Sequence, residues 1–246
     1  RLYRNSHWCH ELLNLIGQPP ALSVIPINIR PLIGDVLIGR DKDLSWLHDT
    51  AGDRVLVGQP GSGKTFLLHN LAKNGMGLFA VDSDRTLLAN AIRDTQPNVI
   101  IIDDAHIRNE LLLDLLQIRK ELNISFEILA SSWPGGTEPI RVILNLPDSK
   151  IHKLELLTRD QIVEVIKTTG IAGPNELVGS LVNQAQGRPG LAVTLSYLCL
   201  QGDVQRVVLG DALCGSIRTS LEPLVGKEAT AVLAAFSMGG DSGMTM

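Results

Sequence analysis

The stretch Gly58-Gln59-Pro60-Gly61-Ser62-Gly63-Lys64-Thr65 sets glycines, a lysine and a hydroxyl at spacings that suit one task. It fills every fixed position of the pattern G-x-x-x-x-G-K-[ST]. Backbone amides can wrap a multiply charged phosphate only if no side chain blocks the approach, and glycine both removes the obstruction and permits positive φ. A helix starting here aims its unpaired amides and the positive end of its dipole at the same spot. Lys64 then supplies a point charge for the β and γ phosphates, and the Thr65 hydroxyl a ligand for magnesium. Gly58, Pro60, Gly61, Ser62, Gly63, Lys64, Thr65 and Phe66 are therefore the expected nucleotide-contacting residues. The alternative is a chance glycine-rich turn, against which stand the apolar strand before the loop and the helix after it.

A second constellation lies downstream, where Val99-Ile100-Ile101-Ile102 runs into Asp103-Asp104. A parallel strand delivers its C-terminal end to the ligand crevice. Asp103 is expected to hold magnesium, directly or through water. Asp104 is expected to take a proton from the attacking water or to orient it. The competing reading is that the pair merely caps a helix starting at Ala105. The phosphate loop upstream makes the metal reading the stronger one.

These residues need elements to carry them, and the pattern alternates strand and helix. Strands are expected at Arg54–Val57, Leu78–Val81, Val99–Ile102, Phe126–Ser131 and Lys150–Leu156. Helices are expected at Lys64–Lys73, Thr86–Arg93 and Ile107–Leu122, the last with Leu111, Leu115, Ile118 and Leu122 on one face. Upstream, Ile38-Gly39-Arg40 turns into a helix running to Leu47, with Asp41 as its N-cap. Alternation of this kind implies crossover units and a parallel sheet. After Leu157 the strands stop. Thr158 caps a helix (Arg159–Lys167), Pro174 opens another to Gln186, and a third runs from Pro189 to about Leu200. The expected class is α/β: a three-layer αβα parallel sheet, a small helical lid domain, and the start of a further helical, winged-helix-like domain. The expected boundaries are a connector at 1–33, a nucleotide-binding domain at 34–157, a helical domain at 158–202 and a truncated domain at 203–246.

Bulk properties fit an ordinary globular chain of 246 residues, 44% hydrophobic and 20% charged, with a largely aliphatic core because aromatics are only 4%. A net charge of −4 gives no support to nucleic acid as a partner, although a local basic face would not show in the total. Cys9, Cys199 and Cys214 match no disulfide or metal spacing and read as free thiols in a reducing cytoplasm. The cluster His7-Trp8-Cys9-His10 invites a metal, but no second ligand pair follows at zinc-site spacing. No apolar run approaches the roughly 20 residues of a membrane span. Neither end reads as a natural terminus, so the chain is expected to be a piece of a longer protein.

Taken in order, these landmarks resemble the STAND branch of the AAA+-like P-loop ATPases over residues 34–238. The resemblance rests on Ile38-Gly39-Arg40, the phosphate loop, Asp103-Asp104, a strand ending Ala130-Ser131-Ser132, and Gly187-Arg188-Pro189-Gly190-Leu191. It implies that Arg40 borders the adenine and ribose, that Pro189 touches the base from the helical lid, and that Ser131 or Ser132 senses the γ-phosphate. Ser132 is taken with Lys64 and Asp104 as the catalytic set, and Thr65 with Asp103 as the metal set. Many relatives carry an arginine just after this strand, whereas this chain has Trp133-Pro134. Arg141 is one substitute; otherwise the γ-phosphate would be read by Ser132 or by an arginine from another subunit. The segment Leu221–Phe236 resembles the opening of the family's winged-helix domain. Asp104 is shorter than the glutamate of many fast ATPases, which implies slow hydrolysis.

The base is expected to be adenine, because no Asn/Thr-Lys-x-Asp guanine-reading loop is present. The leading reading is thus a magnesium-dependent ATP/ADP switch module in a larger signalling or defence protein. It would bind nucleotide between sheet and lid and self-assemble in the ATP state, with sensor and effector domains outside this segment and no membrane partner. The alternative is an AAA+ ATPase acting on nucleic acid at origins, clamps or transposition sites. Arg188, Arg206 and Arg218 read as solvated helix faces and do not supply the basic channel it would need.

Overall fold

The computed structural model describes residues 20–26, 36–171, 175–202, 204 and 207. The chain divides into two compact units. The first comprises Arg1–Arg30, Lys42–Gln59 and Lys64–Leu154, the second Pro31–Asp41, Pro60–Gly63 and Glu155–Met246.

The first unit is built on a six-stranded sheet in the order β1-β3-β4-β5-β2-β6. Its strands are β1 (Leu22–Ser23), β2 (Arg54–Val57), β3 (Leu78–Ala80), β4 (Val99–Ile102), β5 (Glu127–Ser132) and β6 (Ile151–Lys153). All neighbours pair in parallel except β1, which runs antiparallel to β3 with Leu22 opposite Ala80. The helices are α1 (Asp41–Asp49), α2 (Lys64–Lys73), α3 (Arg85–Thr95), α4 (Asn109–Leu122) and α5 (Thr137–Ile143). The sheet's own residues show why it is parallel. Val55, Val57, Ile100, Ile102, Ile128 and Ala130 pack with Leu88 and Ile92 of α3 and with Leu111, Leu112, Leu115 and Ile118 of α4. The alternate residues Leu56, Ile101 and Leu129 are equally buried, so both faces are covered, as crossover helices require.

Helix ends follow capping chemistry. Asp84 accepts from the amides of Thr86 and Leu87 at the start of α3, and Gln96 and Asn123 close α3 and α4 in the left-handed conformation. The end of the sheet opposite the phosphate loop is held by charge. The Asp53 carboxylate accepts both Arg119 guanidinium nitrogens, at 2.8 and 2.9 Å, and also the Ile128 amide. That one aspartate ties the start of β2 to α4 and to β5.

The second unit contains α6 (Arg159–Thr168), α7 (Asn175–Ala185) and α8 (Pro189–Leu200). Ile162, Val165 and Ile166 meet Leu181, Val182, Ala185, Ala192 and Leu195 in its core. Thr158 and Gln161 form a reciprocal capping box at the start of α6, and Pro189 occupies the first turn of α8.

The expected fold is present, with local differences. Part of the expected connector adds strand β1 to the sheet edge. Its two residues are too short to leave a periodic signal. The first helix starts at Asp41 itself. Strand β6 is shorter than expected at both ends: a 3-10 turn takes Lys150, and pairing with β2 stops at Lys153, opposite the last residue of that strand, Val57. Helix α5 was not expected; Pro139 sits in its first turn, where its missing amide costs no helical bond. The Cys9 cluster, Pro174, Cys214 and the winged-helix-like segment from Leu221 lie outside the described residues. Among the described residues no helix is long and apolar enough to cross a membrane.

Leu115 and Leu113 test the packing of α4, being fully buried and 53% exposed respectively. Leu115→Ala is expected to lower unfolding free energy by about 2–5 kcal/mol. Leu113→Ala should change it by less than about 0.5 kcal/mol. Urea denaturation of both variants measures the contrast.

Candidate functional site

Strand β2 ends at Val57, and the chain leaves the sheet through Gly58, whose amide donates to the Ser132 carbonyl at 3.0 Å. It returns as α2 at Lys64. Gly61 and Gly63 hold φ of 77° and 94°, values that favour glycine. The Lys64 ammonium donates to the carbonyls of Gly58 at 2.7 Å and Gln59 at 3.2 Å, which ties the start of α2 back to the end of β2. Lys64 and Thr65 are both buried.

In the first unit the loop end of α2 meets the acidic strand. Thr65 Oγ1 donates to Asp103 Oδ2 at 2.7 Å. Ser131 Oγ donates to Asp103 Oδ1 at 2.6 Å and accepts the Asp104 amide at 2.9 Å. The sheet order explains the arrangement. Strand β5 lies between β2 and β4, with Leu56 opposite Ser131 and Ile102 opposite Ala130. Ser131 is thereby carried to the side of Asp103. Ser132, one residue on, donates instead to the Trp133 carbonyl at 2.9 Å. Of the two serines expected near the γ-phosphate, Ser131 is the one bonded into the acidic pair.

Asp104 takes a left-handed backbone, φ 50° and ψ 45°, and makes no capping bond from its side chain to the 3-10 turn Ala105–Ile107 that follows. The simple capping role is thus not filled. The same turn brings in two groups that carried no motif signal. His106 is coupled electrostatically to Asp104, Lys64 and Asp103. Burial, the dominant influence, pushes its pKa below the usual histidine range, and Asp104 opposes that shift. Arg108 donates to the Ala80 carbonyl at 3.0 Å; burial lowers its pKa, against the pull of Asp103 and Asp82.

Pro60–Gly63 belong to the second unit, where Arg40 and the start of α8 hold them. Arg40 donates to the Ser62 carbonyl and to the Glu155 carbonyl, each at 2.8 Å. The Gly190 amide donates to the Gly61 carbonyl at 2.8 Å. A Cβ at Gly63 would sit 3.2 Å from Pro189 Cγ. Arg40 and Pro189, expected beside the base, are thus placed against the loop backbone. Phe66 is half-buried in the first turn of α2, and Arg141 pairs with Glu138 on an exposed turn of α5.

The donors present suit magnesium and a phosphate chain. Thr65 and Asp103 offer the hard oxygens that magnesium prefers. The buried Ser62 hydroxyl within the loop has no hydrogen-bond partner among the described residues, although a buried hydroxyl ordinarily has one. Among the described residues no group of three or more histidine, cysteine or acidic side chains offers a protein-only metal cage.

No protein-family model matches the chain, and no curated protein matches its sequence. Solved structures do match its shape. The Walker-type ATPase PABY2304 of Pyrococcus abyssi superposes with a TM-score of 0.56 at 14% identity, covering 80% of this chain and 79% of that one. RuvB of Thermotoga maritima gives 0.50 at 18%, covering 90% and 88%. Hsp104 of S. cerevisiae, in a casein complex, gives 0.52 at 12%, covering 85% of this chain and 50% of that one. At these identities the likeness concerns the fold, which is that of the P-loop NTPases.

The two serines separate by experiment. Ser131→Ala strands the buried Asp104 amide and frees one Asp103 oxygen, and should cost about 1–3 kcal/mol of stability. Ser132→Ala should cost less, about 0.5–1 kcal/mol, because the Trp133 carbonyl it leaves also accepts from the Gly136 amide and Thr137 Oγ1. Thermal and urea melts of both variants check this.

Proposed function

We propose that this chain is the ATP/ADP-binding, magnesium-dependent switch module of a larger STAND-type signalling or defence protein, hydrolysing ATP slowly. One observation carries the nucleotide part of this reading. The loop helix and the acidic strand meet through the Thr65–Asp103 hydrogen bond, with Asp104 turned out of the strand beside them. Backbone amides of 58–65 would hold the phosphates, Lys64 would neutralise the β and γ oxygens, and Thr65 with Asp103 would hold magnesium. Bound magnesium would supply electrostatic stabilisation of the charge that develops on the phosphoryl oxygens. Asp104 would accept the proton of the attacking water.

The switch part rests on the resemblance around Gly187-Arg188-Pro189 and on the short acidic side chain at 104. A switch needs differential affinity for two nucleotide states more than it needs rapid turnover. In this reading ADP holds a monomer and ATP promotes assembly.

Calorimetric titration with magnesium ATP should give a saturable site that Lys64→Ala abolishes; unchanged affinity in that variant refutes the site. Asp104→Asn should retain binding and slow phosphate release by at least about tenfold. Light scattering with ADP and with a non-hydrolysable ATP analogue tests the switch, and identical masses in the two states count against it. Salt-dependent DNA binding by the same chain would favour the nucleic-acid reading instead.

A further inference from the structure

His106 is an ionisable group that the roles assigned above leave unused. Both of its ring nitrogens are buried, and neither has a hydrogen-bond partner among the described residues. A buried polar atom ordinarily has a hydrogen-bond partner, so a position that lacks one twice calls for an explanation. A ring held loosely would turn to find partners. This one is held on two sides. Trp133 lies with its ring centroid 5.0 Å away at a 34° tilt. Gly136 comes so close that a Cβ there would fall 2.4 Å from His106 Cβ and 3.2 Å from Ser132 Oγ. The chain leaving β5 therefore walls the imidazole in, and only glycine at 136 permits so tight an approach.

The charges that act on the ring are those of the candidate site: Asp104, Lys64 and Asp103. Burial favours the neutral imidazole, which has one N–H donor and one bare acceptor nitrogen. Trp133 also stands where the resembled family places a phosphate-reading arginine, so β5 provides a packing wall in place of a charged group.

Resting on the nucleotide reading above, we propose that His106 is a further catalytic residue for ATP hydrolysis, orienting the attacking water for Asp104 against the γ-phosphate. One ring nitrogen accepts an O–H of that water, and the other donates to a γ-phosphoryl oxygen. The water oxygen forms its bond to the γ phosphorus as the bond to the bridging oxygen breaks. That electron pair leaves with ADP, and the proton passes through Asp104 to the released phosphate. Through the ring contact with Trp133, occupation of the γ-phosphate position is transmitted to the loop after β5.

The test uses the full chain, its His106→Ala and His106→Asn variants, and each of these in a background where Trp8→Phe and Trp46→Phe leave Trp133 as the sole indole. His106→Ala should bind a non-hydrolysable ATP analogue within about threefold of the parent while kcat falls about a hundredfold, the low end for a positioned proton-handling group. His106→Asn, which keeps a donor and an acceptor, should recover at least tenfold of that loss. Trp133 emission should change with the ATP analogue but not with ADP, and His106→Ala should abolish the difference. Wild-type turnover in His106→Ala overturns the assignment alone, with the nucleotide site intact. A fall in melting temperature and analogue affinity together, with no recovery in His106→Asn, assigns a structural role instead and overturns it also. No magnesium ATP binding by the parent chain overturns the nucleotide reading, and this assignment with it.

Discussion

The hydrogen bond from Thr65 to Asp103, at 2.7 Å, joins two pieces of chain that the sheet keeps apart. Strand β2 delivers the loop and β4 delivers the acidic pair, yet β5 runs between them. Side chains at the carboxyl ends of non-adjacent strands can converge only if the intervening strand stops in step and contributes a small residue. Ser131 meets both demands, bonding to Asp103 Oδ1 and to the Asp104 amide. The apolar register behind it, fully buried from Val55 to Leu56 and from Ile100 to Ile102, fixes where each strand ends. A shift of one residue in any of these strands would turn every side chain to the other face of the sheet. It would also break the three-way contact.

The choice of partners for Asp103 bears on its chemistry. Burying a carboxylate carries a desolvation cost that paired or hydrogen-bonding groups must offset. Here two hydroxyls supply the hydrogen bonds, one to each oxygen. Neutral donors stabilise the ionised form without cancelling its charge. A guanidinium bonded in the same place would offset the burial more strongly but would compete with a dication for the oxygens. Arg108 instead donates to the Ala80 carbonyl and acts on Asp103 at longer range. Both carboxylate oxygens of Asp103 thus meet neutral hydroxyls, Thr65 at one and Ser131 at the other.

Much of this was legible from residue order. The phosphate loop is read by a fixed spacing, and the strands by short β-branched runs bounded by turn residues. Val99–Ile102 and Arg54–Val57 fall at their expected bounds because a strand covered on both faces is uniformly apolar. Pro189 marks the first turn of α8 because its ring suits that turn. What stayed hidden lacks local pattern. β1 is set by pairing with β3 and not by its own two residues. Ser131 and Ser132 are equivalent in sequence, and only the register of β5 against β2 and β4 separates them. The carbonyl contacts of Arg40 depend on residues 22 and 115 positions away. His106 lay beyond the motif, because its significance rests on two missing hydrogen bonds that no sequence displays.

The left-handed residue at 104 links these observations. A non-glycine residue in that conformation carries strain of order 1–3 kcal/mol, held by its surroundings. Here the Ser131 hydroxyl restrains it by accepting the Asp104 amide. Had the strand run straight on, Asp103 and Asp104 would project to opposite faces and only one could serve the loop. The kink ends the strand and starts a tight 3-10 turn, which brings His106 against Trp133. One strained residue thus gathers the Asp103 and Asp104 carboxylates and the His106 imidazole from four consecutive positions. The chain leaving β5 closes over the imidazole through Gly136. The end of β5 therefore works twice, through Ser131 on the acidic pair and through Trp133 on the imidazole. A displacement of this loop would act on both acidic residues and on His106 together.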